Sequence, residues 1–160
     1  MKLKEITKIA IMSALCVVLR YAFSGLPNIQ PVSAIFFLLV IYESLSFSLL
    51  VMATSVLVSS FLLGFGPWVL FQILSFSVII IIWNLSYKVL NIYFRTLLVF
   101  CLTFFYGIVI DSITAAFFNM PWWSYVTAGL VFNFAHAFST LVFYPMLEPI
   151  FRRLFYEKNT

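Results

Sequence analysis

The chain has 160 residues, of which 64% are apolar and 9% are charged, with a mean hydropathy of +1.13 and a formal net charge of +4. A soluble domain is about half apolar and about a quarter charged, so this chain has too few charges to cover a water-exposed surface. The composition predicts an integral membrane protein and excludes a disordered chain, a secreted disulfide scaffold and a nucleic-acid-binding domain.

The length limits how many membrane spans the chain can form. One spanning helix needs about 20 apolar residues, so the chain can hold about six or seven spans and no separate soluble domain. We predict an all-α, single transmembrane domain over residues 1–160. Its six helices are expected at about 4–24, 31–49, 50–64, 67–88, 96–118 and 124–151.

Turn-forming residues set most of these boundaries. Gly25-Leu26-Pro27-Asn28 closes the first helix, Gly64-Phe65-Gly66-Pro67 closes the third, and Asn119-Met120-Pro121 closes the fifth. The boundary between the second and third helices is the weakest, because the two apolar runs merge through Ser44, Ser46 and Ser48. Pro145 and Pro149 are expected to break the sixth helix near its end.

The distribution of basic residues predicts the orientation. If the N-terminus is cytoplasmic, eight of the nine Lys and Arg residues fall in cytoplasmic segments and none falls in an outer loop. Both termini are then cytoplasmic, which requires an even number of spans. The eight residues are Lys2, Lys4, Lys8, Lys88, Arg95, Arg152, Arg153 and Lys158.

Polar residues inside the predicted spans are candidates for function, because an ionisable group in a bilayer costs several kcal/mol. Arg20, Gln72, Asp111 and Asn133 fall in the outer half of four different helices, and His136 falls nearer the middle. Polar groups at one depth on separate helices indicate a cavity that opens outward and not a channel through the membrane.

Each of these residues also has a structural interpretation. Arg20 either reaches the outer headgroups, pairs with Asp111 or serves as a cation in a site. Asp111 either bonds a neighbouring helix or contacts a ligand, and the same choice applies to Asn133 and His136, which share one helix face. Metal binding is disfavoured because His136 has no second His or Cys at ligand spacing.

Two further patterns mark the two sides of the membrane. The aromatic residues that flank the outer loops are typical either of an interfacial aromatic belt or of a stacked planar ligand; they are Trp68, Trp122, Trp123 and Tyr125. At the inner side Ala10 and Ala14, with Ser13 between them, allow close approach of another helix or simply pack the first helix internally. Glu148 is expected to pair with a neighbouring arginine, Arg152 or Arg153.

Several segments resemble a known family, the S components that bind substrate in energy-coupling factor (ECF) vitamin transporters. The basic start is followed by Ile9-Ala10-Ile11-Met12-Ser13-Ala14-Leu15, Val18-Leu19-Arg20 and Leu26-Pro27-Asn28-Ile29-Gln30-Pro31-Val32-Ser33-Ala34. Leu63-Gly64-Phe65-Gly66-Pro67-Trp68 with Gln72 completes the similarity. The Pro-Asn-Ile-Gln-Pro and Gly-Phe-Gly-Pro-Trp segments resemble the cobalamin-type subgroup.

The resemblance implies a multi-pass subunit of the bacterial plasma membrane that is not an enzyme. It would capture a vitamin from outside, dock on a transmembrane coupling subunit driven by two ATPases, and topple to release its substrate. No cofactor is implied, and ATP hydrolysis is expected on another chain because this one has no Gly-x-x-x-x-Gly-Lys segment. Docking is expected at Ala10, Ser13 and Ala14. Substrate contacts are expected at Arg20, Asn28, Gln30, Trp68, Gln72, Asp111, Trp122, Tyr125, Asn133 and His136.

The ligand stays open among several compounds. Cobalamin is the leading prediction, and hydroxymethylpyrimidine, thiamine and pantothenate are the alternatives. Two other classes of function compete with a binding subunit. One is a small intramembrane lipid enzyme using Asp111 and His136 as acid and base, and the other is an assembly subunit whose polar groups merely join helices.

Overall fold

A computed structural model describes residues 2–156, and within that range the chain folds into α-helices joined by short connections and one 3-10 turn, Tyr87–Val89. The all-α prediction is therefore confirmed. The helices are α1 Leu3–Ala22, α2 Val32–Tyr42, α3 Leu45–Leu63, α4 Trp68–Ser86, α5 Ile92–Phe117 and α6 Trp122–Tyr156.

Four of these helices, α3 to α6, are long and apolar enough to cross a membrane. Helix α1 has 20 residues but carries four charged side chains, and α2 is apolar but short. The apolar helices identify a membrane-embedded protein, as the composition predicts.

Helix α2 corrects the predicted boundaries. It covers the 11 residues Val32–Tyr42, whereas the prediction extended over 31–49. At 1.5 Å per residue the helix is about 16 Å long, which is about half the thickness of a bilayer core. The helix ends at Tyr42, and α3 begins at Leu45 because the Ser44 hydroxyl accepts a hydrogen bond from the Phe47 N–H at 3.1 Å. One of the serines thus caps the third helix, several residues before the predicted start.

Helix α2 forms the centre of the bundle. Every residue from 31 to 40 is buried, and α2 packs against α3, α4 and α6. Two of its backbone carbonyls accept hydrogen bonds from neighbouring helices. The Ser48 hydroxyl donates to the Phe36 carbonyl at 2.7 Å, and the Trp83 indole donates to the Phe37 carbonyl at 2.9 Å.

The bundle has two chemically different ends. The loop end holds the connections 23–31, 64–67 and 118–121, while the basic end holds the chain start, the connections near 43 and 90, and the end of α6. At the basic end Lys8 pairs with Glu43, and the Tyr42 hydroxyl donates to Glu148 at 2.8 Å. The expected pairing of Glu148 with an arginine is therefore wrong.

Helix α6 is longer than predicted. It is a continuous helix of 35 residues that begins two residues before the predicted start and includes both Pro145 and Pro149. Prolines are tolerated in membrane helices where neighbouring helices satisfy the freed backbone groups. The predicted break at these prolines is therefore wrong.

Two contacts fix the depth of α2 beside α6. Ser33 meets His136 near the start of α2, and Tyr42 meets Glu148 at its end, so the two helices run in the same direction. Since α6 begins at Trp122, α2 starts well below the loop end of α6. The volume between that end and the start of α2 is left to the α1–α2 connection and to a cavity.

Candidate ligand-binding cavity

A cavity of about 440 Å³ occupies the volume above α2 at the loop end of the bundle. Its wall comes from α1, α4, α5, α6 and the α1–α2 connection. Eight of the ten predicted substrate contacts line it, which places them in one site although they are far apart in sequence. These are Arg20, Asn28, Gln30, Gln72, Asp111, Tyr125, Asn133 and His136.

A second cavity of about 460 Å³ adjoins the first and shares Gln72, Ile110, Asp111 and Tyr125 with it. Trp68 lines this second cavity together with residues of the α5–α6 connection, so it lies outside the first one. Trp122 lines neither cavity. Its indole donates a hydrogen bond to the Ser112 hydroxyl at 2.9 Å and joins the start of α6 to α5.

Asp111 and Asn133 join α5 to α6 at the cavity wall. The Asn133 amide donates a hydrogen bond to Asp111 Oδ2 at 2.7 Å, so the predicted helix–helix bond of Asp111 is present, and Asp111 also lines the cavity. Two glycines make room for this pair. A Cβ atom at Gly107 would collide with the Asn133 side chain, and one at Gly129 would collide with Asp111 Oδ2.

Replacing Gly107 by alanine is expected to destabilise the protein by about 1–2 kcal/mol, because the overpacking cost exceeds the gain in helix propensity. The added methyl group would push Asn133 away from Asp111. Unfolding of the purified protein in detergent measures the effect. Gly25→Ala is the matched control, since a Cβ atom there has no neighbour within 4 Å. Equal stability of the two variants would contradict the close α5–α6 contact.

Aromatic rings form the lower part of the cavity. Phe76 and Tyr106 stack with their centroids 4.0 Å apart, and the His136 ring meets Tyr106 edge-on at 5.4 Å. Sequence analysis missed Phe76 and Tyr106, although Phe76 follows Gln72 by four residues and therefore lies on the same helix face. Continuing the helical period from the polar residue would have identified it.

The α1–α2 connection is attached to α6. The Asn28 amide donates to the Phe132 carbonyl at 3.1 Å, and the Gln30 N–H donates to the Ser139 hydroxyl at 2.9 Å. Asn28 has a φ of 59°, a left-handed conformation that asparagine adopts more readily than most residues. These bonds hold the connection against the cavity and explain why Asn28 and Gln30 line it.

Arg20 reaches the cavity from α1. Its Nη2 donates a hydrogen bond to Gln72 Oε1 at 3.2 Å, while its Nη1 is buried and has no hydrogen-bond partner. Arg20 and Asp111 line the same cavity but do not form an ion pair, so the predicted alternative of a direct Arg20–Asp111 pair is wrong. Within residues 2–156 the ion pair is Lys8–Glu43.

His136 lies next to a buried hydroxyl group. His136 Nε2 lies 2.7 Å from the Ser33 hydroxyl, but Ser33 is 1% exposed and does not line the cavity. Across the described part of the chain, no three His, Cys, Asp or Glu side chains come together as a metal site would require. The arrangement is suited to holding a ligand by hydrogen bonds.

The predicted docking residues separate into two groups. Ala10 and Ala14 are exposed on α1, whereas Ser13 is buried and its hydroxyl has no hydrogen-bond partner. The side chain of Ser13 packs inside the bundle, so its predicted place on a docking surface is wrong. Ala10 and Ala14 remain accessible to a partner helix.

The fold defines a helical, membrane-embedded protein with a cavity at one end of its bundle. Comparisons of the chain with protein-family models, with curated proteins and with solved structures found no match.

Proposed function

We propose that the chain is the substrate-binding subunit of an ECF-type vitamin importer. The observation that carries this proposal is the cavity, in which polar side chains from four helices and one connection converge at one end of an apolar bundle. A few converging polar groups in an otherwise apolar pocket are typical of small-molecule sites. The resemblance of the first helix and the first two loop-end connections to S components supports the same function.

In this proposal the chain crosses the bacterial plasma membrane six times, with both termini in the cytoplasm. The charges support this orientation, because Lys8, Lys88, Arg95 and Arg152 all lie at the basic end of the bundle. Helix α2 is too short to cross alone. The α1–α2 connection folds into the bundle beside α6, and the two together complete the second crossing.

The size of the cavity bears on the choice of vitamin. A volume of about 440 Å³ lies within the range of about 300–1,000 Å³ that is typical for drug-sized ligands. Cobalamin is several times larger than such ligands, because it combines a corrin ring with a nucleotide and many amide side chains. The first cavity by itself therefore supports a smaller vitamin over cobalamin, the leading compound in the sequence-based prediction, which would have to occupy the adjoining cavity as well.

Energy for import would come from partners. We propose that a transmembrane coupling subunit carrying two ATPases contacts the exposed face of α1 at Ala10 and Ala14. Small residues four apart let a partner helix approach closely inside the bilayer. The bound ligand would then reach the cytoplasmic side as the subunit topples against its partner.

A thermal-shift panel on the purified protein tests this function. The panel contains cobalamin, thiamine, hydroxymethylpyrimidine and pantothenate, together with other small vitamins. At a ligand concentration 100-fold above its dissociation constant, binding stabilises the folded state by about 2.7 kcal/mol. We expect one small vitamin to raise the melting temperature. A panel without any shift would overturn the proposal, and a shift by cobalamin alone would overturn the size argument.

A further inference from the structure

The Arg20 guanidinium lines the cavity without a counter-ion. It donates one hydrogen bond, to the neutral amide of Gln72, and its Nη1 is buried without a partner. Arg20 lines the cavity between α1 and α4, so a molecule in the cavity can contact its guanidinium, although Nη1 itself is buried. A charged group with unfilled donors at this depth is costly unless something else pairs with it.

The carboxylates of residues 2–156 are all engaged elsewhere. Glu5 accepts from the Lys2 backbone N–H, Glu43 pairs with Lys8, and Glu148 accepts from Tyr42. Asp111 accepts from Asn133, on another wall of the cavity. The anion that Arg20 lacks is therefore not supplied by the described part of the chain.

We propose that the ligand of this cavity carries an anionic group, a carboxylate or a phosphate, that binds Arg20 and Gln72. The proposal rests on the binding function argued above and names the substrate class of the same site. A guanidinium presents a planar set of donors that matches the two oxygens of such a group. Gln72 Nε2 makes no hydrogen bond with the described residues and offers a further donor beside it.

The rest of the cavity restricts the other parts of the ligand. Asp111 can accept a hydrogen bond from a hydroxyl or amide group, and the stacked rings of Phe76 and Tyr106 present an apolar surface. The substrate class is thus a small acid with hydrogen-bond donors away from its charged end. Pantothenate has both features, whereas thiamine and hydroxymethylpyrimidine lack an anionic group.

Matched pairs of compounds test the charge requirement on the full chain in detergent. The pairs are pantothenate and pantothenol, biotin and biotinamide, nicotinate and nicotinamide, and pyridoxal phosphate and pyridoxal. Titration calorimetry gives the affinities. We expect the tightest ligand to be an acid and its neutral partner to bind at least about tenfold more weakly, because a hydrogen bond to a charged group is lost.

Substitutions at the same two residues test whether Arg20 is responsible. In Gln72→Glu a carboxylate replaces the amide whose oxygen accepts the hydrogen bond from Arg20. The protein itself then supplies the counter-ion that Arg20 lacks. We expect this variant to be at least as stable as the wild type and to bind the acid at least about tenfold more weakly. Arg20→Gln should remove the preference for the acid, and Arg20→Lys should retain part of it.

Arg152→Gln is the matched control, since Arg152 is exposed at the opposite end of the bundle. It should bind the acid with wild-type affinity. Equal affinities for an acid and its neutral partner, or an unchanged preference in Gln72→Glu, would overturn the charge requirement and leave the binding function intact. Binding of no compound in any pair would overturn the anionic substrate class, while the binding function would fall only if the full vitamin panel also gave no shift.

Discussion

Replacing Ala10 and Ala14 together by leucine is expected to abolish uptake of the ligand while leaving its binding unchanged. Both alanines are exposed on α1, and the cavity wall includes neither of them. Leucine side chains would hold a partner helix away from α1, because close packing inside a bilayer depends on small residues at the contact. Uptake by intact cells and binding by the purified subunit measure the two effects separately.

Ala22→Leu provides the matched control for this experiment. Ala22 is also exposed on α1 but lies at the loop end of the helix, away from the proposed contact. Uptake by this variant should equal that of the wild type. If the double leucine variant still takes up ligand, the partner does not dock on this face of α1. If it loses binding as well, the face contributes to the fold or to the site.

Trp83→Ala is expected to cause the largest loss of stability, about 3 kcal/mol. Removing a buried tryptophan from a soluble protein costs about 3–5 kcal/mol. We expect the lower end of this range, because membrane helices are held together by packing and gain little from the exclusion of water. Trp83 is completely buried, and its indole donates to the Phe37 carbonyl at 2.9 Å. Its ring also packs against Phe37, Tyr87 and Tyr144.

The loss can be measured by unfolding the protein in mixed micelles with a denaturing detergent. Trp123→Ala is the matched control, because Trp123 is 75% exposed on α6 and its ring contacts the neighbouring Trp122, which is itself exposed. Its removal should change stability by less than about 0.5 kcal/mol. Similar losses for the two variants would contradict the central position of α2 beside Trp83.

The helical class and most helix boundaries could be predicted from the sequence, because turn-forming residues interrupt long apolar runs. The end of α2 could not, since the break at Glu43 and Ser44 lies within a run that stays largely apolar on both sides. A serine cap looks the same in sequence as a serine inside a helix. It is the burial of α2 on all sides that makes its short length possible.

Most of the cavity residues could be predicted because polar groups are rare in this chain and stand out at one depth. The partners of those groups could not be predicted. Asp111 bonds Asn133 instead of Arg20, and this choice depends on Gly107 and Gly129, which let α5 and α6 approach each other. Apolar lining residues such as Phe76 carry no sequence signal of their own beyond their helical spacing from a polar residue.

The depth of the α1–α2 connection explains why the cavity exists. The connection is anchored to α6 at Phe132 and Ser139, well below the loop end of that helix. Helix α2 consequently begins deep in the bundle and leaves space above it. Sequence periodicity predicts where helices begin and end, but it gives no information on such a change of depth.

The central claim is that this cavity holds the ligand, and direct binding of the stabilising vitamin to Ala128→Trp tests it. Ala128 lines the cavity, so an indole at this position would fill part of it. Ala116→Trp is the control, because Ala116 is exposed on α5 and lines neither cavity. The account predicts that Ala128→Trp loses binding while Ala116→Trp binds like the wild type. Wild-type affinity in Ala128→Trp would contradict it.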